Sequence, residues 1–399
     1  MEVLSTKAFE KFEIKNAKAF EQFKKLGIPD KSWEGWQFTD ISKKFWAPKS
    51  LVQNNTEQAK LIEAPFEHRV ILNNGDLVSS NLPEGITLKE IETENWDTHN
   101  PIDTMNASFK TKTLLITVAK KTKVSTPILL MNRYTAQNNE MALTRIKTVV
   151  EDFAEVNFVE YSDGDNAFYN CSHEILCHDN AITYYTQVQN FNDEAQALSN
   201  VNSEVGKDAH FYSLTINLGA KVHRQNINVN LNASGATAHL DGVFALTGSQ
   251  HNDVYTTINH NQAHTYSFQL YKGILDQESR GVFSGLIHVP QDSQKINSEQ
   301  LSKNLLLSKK ARINTMPTLE VYADDVKCAH GATVGQLSED EIFYLTSRGI
   351  NEQKAKKLLC QGFGIEVIEK LKDQDLRQWL TKLLVNKLEE QDFGHFEET

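Results

Sequence analysis

Gln225-Asn226-Ile227-Asn228-Val229-Asn230-Leu231-Asn232 alternates strictly, with Ile227, Val229 and Leu231 on one side and four asparagines on the other. A period of two is that of a half-buried strand and excludes a helix over these residues. The pattern continues outward. Thr113–Val118 is a dense run of β-formers; Tyr266, Phe268 and Leu270 alternate with Ser267, Gln269 and Tyr271; Leu319, Val321 and Ala323 take every second place. No long helical stripe separates these runs between about 105 and 325, which argues against a doubly wound α/β sheet with its crossover helices. No proline occurs between Pro127 and Pro290, as continuous ladders require. Twelve asparagines lie between Asn190 and Asn261 and are expected at turns, where asparagine caps backbone and accepts left-handed geometry. Many short strands with Asn/Gly corners predict a β-solenoid or β-helix. No clean repeat period is visible, so a pair of β-sandwiches is the alternative.

The flanks differ. Phe9, Phe12, Phe20 and Phe23 predict one apolar helix stripe, stopped at Pro29-Asp30. The aromatic cluster Trp33, Trp36, Phe38, Phe45 and Trp46, with Asp40 beside it, reads as a packing knot that seats this helix; a binding groove is the alternative. Beyond about 336 the chain turns helical. Ser338-Glu339-Asp340-Glu341 is a capping box, Gly349 suits a helix C′ position, and Asn351 caps a second helix expected to end at Gly362. Leu376, Trp379, Leu380, Leu383, Leu384 and Leu388 form the apolar face of a third. Such helices either dock a partner or cap the open end of the solenoid. The chain thus divides into 1–100 (helical and mixed), 101–335 (β core) and 336–399 (helical).

The 399 residues carry 41 Lys+Arg against 52 Asp+Glu, a net charge of −11 that disfavours a nucleic-acid backbone binder. There is no apolar run long enough for a membrane helix and no apolar leader at the N-terminus. With only four cysteines, a reducing cytoplasm is the expected compartment. No P-loop, G-x-G-x-x-G, G-x-S-x-G or C-x-x-C occurs, so no nucleotide site of a common kind is expected.

His173-Glu174-Ile175-Leu176-Cys177-His178 misses the zinc-protease spacing, since its histidines are five apart. As a strand it would put Cys171, His173, Ile175 and Cys177 on one face, more commonly a core than a soft metal patch. His260 and His264 have i, i+4 spacing among strand formers, and surface or turn positions are expected. If Asp324–His330 is extended, Asp324, Val326, Cys328 and His330 share a side. A thiolate and an imidazole two residues apart can hold one thiophilic metal, iron included, though an ordinary buried cysteine is commoner.

Ala323-Asp324-Asp325-Val326-Lys327-Cys328-Ala329-His330-Gly331-Ala332-Thr333-Val334-Gly335 resembles the signature of the SufB/SufD family of iron–sulfur cluster assembly proteins. His260–His264, Ser279–Gly285, Asn304–Ser308, Pro317–Glu320 and Phe343–Ile350 resemble further blocks of that family, as does Glu34-Gly35-Trp36-Gln37-Phe38-Thr39-Asp40 near the N-terminus. The resemblance is dense over about 255–368 and thin over the middle strands. Glycine after His330, where SufB-type chains usually carry glutamate, resembles the SufD branch, and the lack of an N-terminal cysteine motif agrees.

The resemblance implies a right-handed parallel β-helix between helical ends. It implies a non-catalytic scaffold subunit that pairs with SufB through the β-helix end and binds SufC, an ABC-type ATPase, through its C-terminal helices. Leu345, Leu358 and Leu359 are the positions to test for SufC docking. The resemblance places a transient cluster, or iron, at the SufB–SufD interface, with His330 the first ligand candidate and Cys328 the second. No nucleotide would bind this chain, and homodimerisation of the isolated chain is left open. One alternative is a purely structural scaffold with all cluster ligands on SufB; another is a carbohydrate-active β-helix enzyme, but Asp324 and Asp325 would point to opposite sides of a strand.

Overall fold

The computed structural model describes residues 4–52, 62–95, 97–136 and 139–390. Two ten-stranded sheets face each other, and the chain alternates between them, building a β-solenoid of about eight turns. Within each sheet successive rungs are parallel and in register, as Gln196–Val205 is with Val222–Leu231. Ile227, Val229 and Leu231 point into the lumen, into a core with Val254, Ile258 and Phe283. The opposite face of that strand is an asparagine row: Asn259 Nδ2 donates to Asn228 and Asn230 Oδ1, at 3.2 and 2.8 Å, and Asn261 Nδ2 to Asn232 Oδ1 at 2.8 Å. Eight of the twelve asparagines lie in strands; Asn190, Asn192, Asn232 and Asn261 lie just beyond strand ends, and Asn192 caps a corner by accepting from Glu194 N–H at 3.0 Å. None of the twelve adopts left-handed geometry, which in this stretch falls to Asp208, Ala220, Gly235 and Gly248.

The two ends of the solenoid differ. At the N-terminal end each sheet finishes in an antiparallel strand, Asp76–Asn81 and Ile86–Glu92. Lys89, Glu90 and Glu92 put charge along the second of these, which blunts a free edge. At the C-terminal end Arg312–Val321 and Val326–Gly335 are each paired on one side only, among the described residues. Pro317 is tolerated because its strand is an edge.

Helix α1 is Ala17–Leu26 and α2 is Ile41–Lys44. Phe9 lies in a 3₁₀ turn, Thr6–Phe9, and Phe12 follows it, so the four phenylalanines do not form one helical stripe. They converge in space instead: Phe9, Phe12 and Phe20 each lie within 5.9 Å of the Phe109 ring, at the end of α3, Pro101–Phe109.

Helices α4 (Glu339–Thr346), α5 (Glu352–Ile368) and α6 (Gln374–Glu390) close the described chain. The caps are as expected: Ser338 accepts from Glu341 N–H and Asn351 from Lys354 N–H. Helix α5 runs through Gly362 rather than ending there, because its face packs on the solenoid. α5 and α6 lie on the outer face of the second sheet. Val367, Leu376, Trp379, Leu380 and Leu384 share a core there with Leu129, Leu214, Val243 and Leu270. Buried Lys272 ion-pairs with Glu366 and donates to the Phe363 carbonyl at 2.9 Å. Because this outer face is covered, the alternation of 266–271 is inverted: Leu270 packs outward under the helices while Gln269 and Tyr271 are buried inward. The helices therefore flank the solenoid and do not cap its open end. Residues 391–399, counted in the chain's acidity, lie outside the described residues.

Candidate functional site at the open end of the solenoid

Val326–Gly335 is the last rung of the second sheet. Its register sets Cys328 beside Ser298 and His330 beside Gln300, which in turn lie beside Ser267 and Gln269. All four of those neighbours are buried. Cys328 and His330 therefore continue two inward columns into the last rung, above which none of the described residues pairs, roughly 7 Å apart along one strand face. The strand begins at Val326; Asp324 and Asp325 form the preceding bend and do not join the row. Asp325 instead ion-pairs with Lys295, so the pair offers no strand face of carboxylates for sugar chemistry.

Cys328 is half-buried beside Ile287, Val289, Ile296 and Ala323, whereas His330 is exposed. Burial pushes the Cys328 thiol up, so at neutral pH it holds a proton that metal binding must release. Among the described residues, no third His, Cys, Asp or Glu joins the pair as a metal-holding group.

The other candidates are absorbed by packing. His173 is buried, with Nε2 2.9 Å from Thr148 Oγ1 and Nδ1 2.8 Å from Glu160 Oε2, so neither nitrogen is free for a metal. Burial raises the thiols of Cys171 and Cys360 to about 12 and that of Cys177 to about 11, which makes them inert. His264 sits at a left-handed corner, as a turn histidine would. His260 is not a surface residue: it is fully buried, bonded to Thr265 and Ser267 at 2.7 and 3.0 Å, and burial lowers it to about 4.

The aromatic cluster is a seat. Arg224 stands 4.0 Å from the Trp36 ring and 4.9 Å from the Tyr255 ring, pairs with buried Asp253 at 2.7 Å, and donates to the Gly35 carbonyl at 2.7 Å. Gly35 has φ +73°, and a Cβ there would come within 2.6 Å of Tyr255. Thr39 donates to Asp253 and lies 2.8 Å from His251 Nε2.

Directly after the open rung, α4 presents Phe343 and Tyr344 at 72% and 55% exposure, with Leu358 of α5 at 40%. Leu345 and Leu359 are half-buried. Sequence reasoning named the three leucines and missed both aromatics. The signal was present, because an eight-residue helix that buries only Ile342 leaves consecutive aromatics outside.

The sequence that builds this rung has relatives among known proteins. The model of the SufBD core domain of the SUF iron–sulfur cluster assembly system matches residues 132–363. The chain belongs to the SufBD family. It is 31% identical to a SufBD family protein of Synechocystis, over 87% of this chain and 84% of that one. It is 34% identical to Escherichia coli SufD over 58% of this chain and 53% of the other, and 26% identical to Bacillus subtilis SufD over 93% and 92%. The likeness to proteins named SufD agrees with the glycine after His330.

Proposed function

We propose that this chain is a non-catalytic scaffold subunit for iron–sulfur cluster assembly, working in the cytoplasm. Its open solenoid end joins a SufB-type chain, and the nascent cluster or iron forms between them with His330 as the ligand from this side. Cys328 is the second donor. The observation that carries this reading is the placement of a thiol and an imidazole on the inner row of a rung whose outer edge is unpaired. An unpaired ten-residue strand is a template for another chain, and ligands at such an edge serve a shared site. Neutral imidazole binds iron and releases it more readily than thiolate, which suits a cluster that must leave.

The C-terminal helices carry the SufC-type ATPase, supported by the exposed Phe343, Tyr344 and Leu358 next to the open end. Nucleotide chemistry belongs to that partner. Movement of the ATPase pair would then act on the rung through α4. Among the described residues no helix is long and apolar enough to cross a membrane.

The test is anaerobic cluster reconstitution on the co-expressed three-protein complex, wild type against His330→Ala, following iron, sulfide and visible absorbance. The reading expects loss of cluster with the complex intact. Unchanged cluster would make this chain a passive shape and put every ligand on the partner.

A further inference from the structure

Gln300 is the polar side chain immediately beneath His330 in the lumen. It is fully buried, and among the described residues neither its Oε1 nor its Nε2 has a hydrogen-bond partner. Gln269, one rung deeper, is half satisfied: its Oε1 accepts from Thr256 Oγ1 at 2.7 Å, while its Nε2 has no partner. The Gln300 carboxamide reaches across to the opposite sheet. A Cβ on Gly285 would lie 1.9 Å from Gln300 Nε2 and 2.7 Å from Cδ, so Gly285 is what leaves room for the amide.

A buried amide without partners is unfavourable, and leucine would fill a similar space without that cost. Packing gives no reason for glutamine at this position. The rung above it gives one, because there His330 and Cys328 end the two inward columns. Polar groups just outside the ligands of a metal site orient those ligands and tune the metal.

We infer that Gln300 is a positioning residue of the cluster site, its carboxamide forming the floor on which the cargo held by His330 rests. With the cargo held by His330, the unpartnered Nε2–H would be free to donate to it and Oε1 to accept from the imidazole N–H. Hydrogen bonds to sulfur shift the potential of a cluster and slow its loss. The inference rests on the reading of the open end given above.

The experiment uses the complex with the partner scaffold chain, reconstituted anaerobically with ferrous iron and sulfide. Wild type, Gln300→Leu and His330→Ala are compared for the melting temperature of the cluster-free complex, the rate of iron loss to a chelator, and the visible spectrum. Gln300→Leu should melt no lower than wild type, lose iron roughly tenfold faster, and show a shifted charge-transfer band. Wild-type retention and spectrum in Gln300→Leu, with His330→Ala impaired, would overturn the role of Gln300 alone. Wild-type behaviour in both variants would remove the underlying reading as well. Should Gln300→Leu fail to fold, Gly285→Ala, which displaces the carboxamide by one methyl, is read in the same way.

Discussion

Arg224 is the residue on which the N-terminal segment hangs. It is held between two aromatic rings and paired with Asp253, and both charged side chains are buried. Removing one member of a buried pair leaves the other charge unmatched, so Arg224→Ala should lower the unfolding free energy by about 3–5 kcal/mol, read from urea melts. Asp253→Ala should cost as much, and the double variant less than the sum. The Trp36 and Thr39 block was legible as a packing knot. Its partners were not, because Arg224, His251 and Asp253 lie more than 180 residues away and local spacing carries no such signal. At the other end, alternation made legible only that Cys328 and His330 share a strand face; their candidacy as ligands came from the family resemblance. Burial raises the Cys328 thiol, so on the proposed reading iron uptake should rise with pH as that thiol loses its proton more readily. Cys328→Ser should flatten that dependence if the thiolate is a ligand.

Strands were legible wherever one face is apolar, and the solenoid period was not. Register offsets between successive rungs of the first sheet run from 28 (Phe168 to Gln196) to 26, 29, 29 and 32 (Arg280 to Arg312) residues. Corner lengths absorb the variation while the strands stay in register, so a fixed period never appears in the sequence. Asparagine was assigned to corners because the isolated residue favours them; stacked rungs offer it a neighbour of its own kind, and the ladder prevails. Helix α5 crosses Gly362 because burial of Val367 and Ile368 outweighs the roughly 1 kcal/mol that a helical glycine costs. The exposed aromatics of α4 define an element-level test. Phe343→Ala and Tyr344→Ala should each weaken binding of the proposed ATPase partner by about 1–2 kcal/mol, measured by calorimetry, with no change in the melting temperature of the free chain.

Across the whole molecule, lumen burial couples stability to acidity. His223 and His260 are both lowered to about 4 by burial, against 6.5 for the free side chain. Between those values the unfolded chain binds protons that the folded chain does not, so stability is complete above pH 6.5 and is lost as pH falls toward 4. The two histidines together account for a loss on the order of several kcal/mol. His260→Asn and His223→Asn should each reduce the slope of unfolding free energy against pH in that window. A slope unchanged in both variants would assign the acid sensitivity to other groups.

The closed and open ends of the solenoid also determine how far assembly can go. A stack of parallel rungs with two free ends would add chain upon chain into a fibre. Here the antiparallel strands Asp76–Asn81 and Ile86–Glu92 terminate one end. A like chain cannot continue the parallel rungs at that end, so stacking of like rungs is open only at Arg312–Val321 and Val326–Gly335.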